Sequence, residues 1–170
     1  MASLMEELLT ALKEEEDRYV ALIDLAAEKK EAIIKADLPK LDEINIREER
    51  ITSDILNLSH KRAGVLGDMA TVLGKNPADM DITKLIGYLN SQPVEQEKLI
   101  RQRDSLLAAG SKMHEANQQN QILLQQALEM VEFDLTLLRS MKQAPETANY
   151  DKNAYNTGAL LGSSGFDAKQ

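Results

Sequence analysis

From Leu4 to about Lys35, the residues Met5, Leu8, Leu12, Tyr19, Leu22, Ala26 and Ile33 recur at steps of three and four residues or their multiples, lining one face of an amphipathic helix. The stretch KADLPK closes that helix, because Pro39 biases Leu38 away from helical dihedrals and is itself well placed in the first turn of the next helix. The pattern resumes through Leu41, Ile44, Ile51, Ile55, Leu58, Val65, Met69 and Val72, and stops near Gly74. The stretch GKNPADMDITKLIGYLNSQP then predicts a turn and one short helix, capped by Asp81 and closed before Pro93. From Val94 to Met141 there is no proline and a single glycine, which predicts one long helix.

At about 1.5 Å per residue that last segment runs roughly 72 Å, against a diameter of about 40 Å for a compact globule of this chain length. No strand pattern occurs. The expected fold is all-α: an elongated antiparallel helical hairpin or three-helix coiled-coil bundle, with a short connecting helix and a flexible C-terminal tail. Residues 1–142 are expected to form the helical bundle and 143–170 the tail.

On a wheel of about 100° per residue centred on Leu124, the residues Leu99, Leu106, Met113, Val131, Leu135 and Leu138 fall within about 40° and define a seam. Asn117 and Asn120 fall in the same arc, where a polar residue fixes register at a cost in stability. Past Gln121 the apolar arc widens. Leu123, Met130, Leu137 and Met141 lie about 100–140° from Leu124, with Ile122 and Phe133 farther round and Asp134 as the main interruption. A single neighbouring helix needs a stripe of only about 100°. Either the first two helices sandwich this segment, or part of the arc receives the helix of another protein. The thioethers of Met130 and Met141 suit an adaptable partner surface.

Charge narrows the range of partners. With 28 acidic and 20 basic residues the net charge is −8, which argues against tracking nucleic-acid phosphates or binding an anionic membrane surface. No apolar run has the length for membrane insertion, and the N-terminal stretch lacks the basic region and small-residue cleavage site of a signal peptide, so a cytoplasmic protein is expected. The absence of cysteine excludes disulfides and thiolate zinc sites.

Catalytic patterns are missing too. His60 and His114 fall on different predicted helices and neither lies in a metal-binding helical spacing, so no catalytic residue, metal site or cofactor is expected. The run KEEEDR lacks the spacing of a calcium loop and reads as a solvated helix face. From Gln143 onwards the chain has few aliphatics, yet Tyr150, Tyr155 and Phe166 are half of its six aromatics. With Leu160 and Leu161 they read either as anchors that order on binding or as groups that dock back on the chain's own helices.

The N-terminal LLTALKEEEDRYVALIDLAAEKKEAIIKADLPKLDEI, the NQQNQILLQQALEMV of the long helix, the following YDKNAYNTG and the closing GFDAKQ together resemble the FlgN family of flagellar export chaperones. The resemblance implies a cytoplasmic, non-catalytic helical protein. It would bind the helical terminus of the hook–filament junction subunits FlgK and FlgL before their secretion through the flagellar type III apparatus. The C-terminal part of the long helix would grip the client, through Asn117, Asn120, Leu123, Leu124, Ala127, Met130, Val131, Asp134, Leu137, Leu138 and Met141. A tail tyrosine would dock to the cytoplasmic domain of the export gate; Tyr150 matches best and Tyr155 lies close, although DKNA stands where the family has a glycine. The client-free protein would be a monomer or a homodimer. The competing reading from the residues is a coiled-coil structural adaptor that self-associates through the same surface.

Overall fold

A computed structural model describes residues 1–158, with side chains through Lys142. Four α-helices follow one another: α1 (Ala2–Lys35), α2 (Leu38–Val72), α3 (Ile82–Tyr88) and α4 (Pro93–Gly158), with a 3₁₀ turn at Pro77–Asp79 before α3. No strand occurs among the described residues. The fold is all-α, as the periodicity predicts.

The breaks fall where the punctuation residues stand. The backbone of Ala36 turns left-handed (φ 51°) and its N–H donates to the carbonyls of Ala32 and Ile33, closing α1. Asp37 caps α2 by accepting from the Lys40 N–H at 3.1 Å, with Pro39 in the first turn where its missing N–H leaves no helical bond unmade. The Asp81 carboxylate accepts from the Lys84 N–H at 2.7 Å and starts α3. In α4 the helical backbone runs past the expected end at Met141 to Gly158, through Pro145. A proline there removes one backbone donor, and the flanking Ala, Glu, Gln and Lys residues are good helix formers.

Two compact units divide the chain, Met1–Gln125 and a second that begins at Gln126. In the first, α1 and α2 form an antiparallel hairpin clasped by ion pairs from end to end: Glu15 with Arg62 at 2.8 Å, Arg18 with Asp54 at 3.2 Å, Glu28 with Arg47 at 2.9 Å and Lys29 with Glu48 at 2.7 Å. The first part of α4 lies parallel to α1. Gln102 and Ser105 donate to the Glu16 carboxylate, both at 2.6 Å, and farther along the Asn120 Nδ2 donates to the Ala26 carbonyl at 2.7 Å.

The main core gathers Met5, Leu8 and Leu12 of α1, Val65, Leu66 and Met69 of α2, Leu85 and Leu89 at α3, and Leu99 and Leu106 of α4. Short α3 is held there because its two leucines bury completely and the Gln96 amide of α4 donates to the Ile86 carbonyl at 2.9 Å. Truncating such a leucine to alanine costs about 2–5 kcal/mol. A second cluster of Leu25, Ala32 and Ile44, with Leu41 and Ile51 against it, locks the far end of the hairpin. The predicted stripes of α1 and α2 are largely the buried ones, with Val72 as an exception that faces outward.

Candidate functional site

The seam of α4 changes character along its length. Leu99 and Leu106 are buried in the core, Met113 is half-buried, and Asn120 is buried with its amide on α1. Asn117, in the same predicted arc, is exposed, and its Nδ2 donates to the Met113 sulfur at 3.1 Å. Of the two seam asparagines, therefore, only Asn120 ties helices together; Asn117 bonds within its own helix.

Around Asn120 the three helices leave a cleft of about 320 Å³, lined by Leu22, Lys29, Glu48, Thr52, Asn117, Gln121 and Leu124 as well. Its wall carries the Lys29–Glu48 pair, so charge at the mouth is internally matched. Leu123 is half-buried, whereas Leu124 and Ile122 are exposed.

In the second unit the helix from Gln126 presents large apolar side chains to solvent. Leu128, Met130, Val131, Phe133, Leu135, Leu137, Leu138 and Met141 are all exposed, from 47% at Leu135 to 68% at Met130 and Phe133. Ala127 is half-buried and Asp134 is exposed. The helix supplies partners for the hydroxyls between them: Thr136 donates to the Glu132 carbonyl at 2.9 Å and Ser140 to the Leu137 carbonyl at 2.7 Å. These hydroxyls are thereby satisfied, while the hydrophobic side chains stand free. Contiguous exposed apolar surface of this kind marks an interaction site.

Of the expected set, Ala127, Met130, Val131, Asp134, Leu137, Leu138 and Met141 lie in this second unit, whereas Leu123 and Leu124 lie on α4 within the first. Leu128 was absent from that set, although the run Leu124, Leu128, Val131, Leu135, Leu138 at alternating steps of four and three carries the signal. Tyr150 and Tyr155 lie on the helical backbone of α4, with their side chains outside the described residues. Leu160, Leu161 and Phe166 lie outside the described residues.

Elsewhere one expectation is overturned. The KEEEDR run is not uniformly solvated: Glu15 is buried, and Arg62 reaches across from α2 to pair with it, next to the Ser59 hydroxyl that also binds the guanidinium. Burial pushes the Glu15 carboxyl above the usual glutamate range, against the pull of Arg62. Glu16, one residue on, is held below that range by its bonds to Ser105 and Gln102. Adjacent carboxylates thus meet opposite environments because a helix turns them about 100° apart. His60 and His114 are exposed. No helix among the described residues is long and apolar enough to cross a membrane.

The described residues thus form an all-α scaffold with a packed core in its first unit and large exposed apolar side chains in its second. Residues 1–158 match the family described as FlgN protein, and the chain belongs to that family. Membership implies a flagellar export chaperone role, with flagellar proteins as partners. No curated protein and no solved structure matches the chain.

Proposed function

We propose that this chain is the cytoplasmic export chaperone for the hook–filament junction subunits FlgK and FlgL, and that it grips their helical termini along α4 between Leu123 and Met141. The observation that carries this reading is the run of exposed leucine, methionine, valine and phenylalanine from Leu128 to Met141 on one helix. A subunit kept unassembled before export has to have its own apolar helix covered, and helix-on-helix burial provides that cover at about 25 cal/mol per Å² of apolar surface removed from water. Delivery to the flagellar type III apparatus is assigned to Tyr150 or Tyr155, beyond the gripping segment, so that docking at the export gate leaves the client contact intact.

Co-expression with FlgK or FlgL and mass measurement of the purified complex tests the reading, with Leu123→Asp/Leu137→Asp as the contrast. The expected outcome is a complex with one copy of each chain, which the double variant fails to form while keeping its helicity. A homo-oligomer that persists at micromolar concentration and takes up no subunit would favour the self-associating adaptor instead.

A further inference from the structure

The exposed apolar surface of α4 is two stripes rather than one. With 3.6 residues per turn, Leu128, Val131, Leu135 and Leu138 spread over about 80° of the cylinder, and Met130, Phe133, Leu137 and Met141 over about 80° more, the two centres about 135° apart. Each stripe has the width and the three-four spacing that one packed helix covers. The interval between them on the near side holds only Ala127 and Asp134. Asp134 is the informative residue. A single partner burying the whole arc would desolvate its carboxylate at the centre of an apolar interface, which is costly without a cation beside it.

Two helices packed at about 8–10 Å from the α4 axis, one on each stripe, would have their own axes roughly 17 Å apart and would not touch. The gap between them leaves Asp134 in water, so Asp134, although among the gripping residues that the family resemblance implies, makes no contact with the client in this arrangement. Charge on the outer flank of the first stripe adds direction. Glu132 and Arg139 stand one heptad apart beside Leu128–Leu138, on the side away from the second stripe. A helix lying there is matched when it carries a basic residue opposite Glu132 and an acidic one opposite Arg139.

The geometry points to a client that contributes two separate amphipathic helices of one chain, seated on opposite sides of α4, with the helix on the Leu128–Leu138 stripe bearing those two charges. This rests on the chaperone reading and specifies the partner: α4 is the middle element of a three-helix sandwich in which the outer two helices both come from the client.

The test uses the full chain and a purified FlgK or FlgL subunit, titrated calorimetrically against Leu128→Ser/Leu135→Ser, Met130→Ser/Leu137→Ser and Asp134→Ala. Circular dichroism monitors helicity, and the single exposed changes Leu128→Ser and Met130→Ser serve if a pair lowers it. Each stripe pair is expected to raise Kd at least tenfold, Asp134→Ala less than twofold, and amide exchange on the subunit is expected to reveal two separate protected segments in a complex with one copy of each chain. Weakening by only one stripe pair, a single protected segment, a tenfold loss with Asp134→Ala, or a second copy of this chain on one stripe would overturn the two-helix client and leave the chaperone reading standing. If neither stripe pair weakens binding, the grip on α4 itself is wrong and both fall together.

Discussion

Of the ion pairs that join α1 to α2, Glu15 with Arg62 has the most deeply buried carboxylate. The carboxylate is buried, its guanidinium partner is half-buried, and the pair joins α1 to α2 at 2.8 Å. Because burial raises the Glu15 carboxyl, its folded pKa lies above its unfolded one. In the window between those values the folded chain holds the proton more firmly, so the carboxylate subtracts stability as pH rises through that window, and below the ordinary glutamate range the penalty vanishes. Arg62→Ala should therefore cost about 3 kcal/mol at pH 7, where it strands a buried charge, and markedly less near pH 4, where Glu15 is neutral. Glu15→Gln should remain close to the parent at pH 7. Urea unfolding of both variants at the two pH values checks this, and an Arg62→Ala deficit equal at both would contradict it. The register of the apolar stripe does single out Glu15, which stands three residues after Leu12 and four before Tyr19, whereas Glu14 and Glu16 fall off that line. What no local pattern records is its partner, a cation 47 residues away on α2.

At the scale of the helix, what the sequence carries locally is what could be read from it. Pro39, Asp81 and Pro93 mark the starts of α2, α3 and α4, and Gly74 (φ 65°) follows the end of α2, because each acts through its own backbone dihedrals or its own side-chain cap. The end of α4 was misplaced at Met141 because Pro145 looks like a stop, whereas the backbone continues to Gly158. The turn at Ala36 was equally invisible: it is the one non-glycine residue with positive φ among those described, at a position where a side chain is strained. Ala36→Gly should relieve that strain and raise stability by about 0.5–1 kcal/mol, less the extra chain freedom glycine brings to the unfolded state. Chemical unfolding measures the difference, and a loss of stability would mean that the unfolded-state term dominates. The candidate site was legible as an apolar arc too wide for one neighbour. Which part of the arc is buried was not, since Leu106, buried, and Leu135, exposed, fall within about 20° of each other on the wheel and no local pattern distinguishes them.

For the whole molecule, the proposed function asks for two contacts of opposite strength, a firm grip on a client and a reversible docking to the export gate. A large apolar surface on a formed helix suits the first, and a few aromatic anchors suit the second, whose contact must be reversible. Tyr150→Ala is expected to leave client affinity within about 1 kcal/mol, below the usual hot-spot threshold, and to weaken binding of the loaded complex to the gate's cytoplasmic domain. Paired titrations, one with client and one with gate domain, read the two effects separately. Loss of client with the gate contact preserved would refute the division, and an effect confined to Tyr155→Ala would move the docking role to that residue.

The parallel placement of α1 and α4 has a consequence for the nascent chain. Ala26 leaves the ribosome 94 residues before Asn120, and Glu16 leaves 86 before Gln102. The α1–α2 hairpin is complete only when Val72 has emerged, so at synthesis rates of about 5–20 residues per second it waits roughly 2–10 s for Asn120 and the strip of α4 that completes its core. During that interval Leu8 and Leu12 are without Leu99 and Leu106. The half-built hairpin is itself an apolar groove sized for a helix, so the growing chain passes through a stage in which it needs the kind of protection it later gives to others.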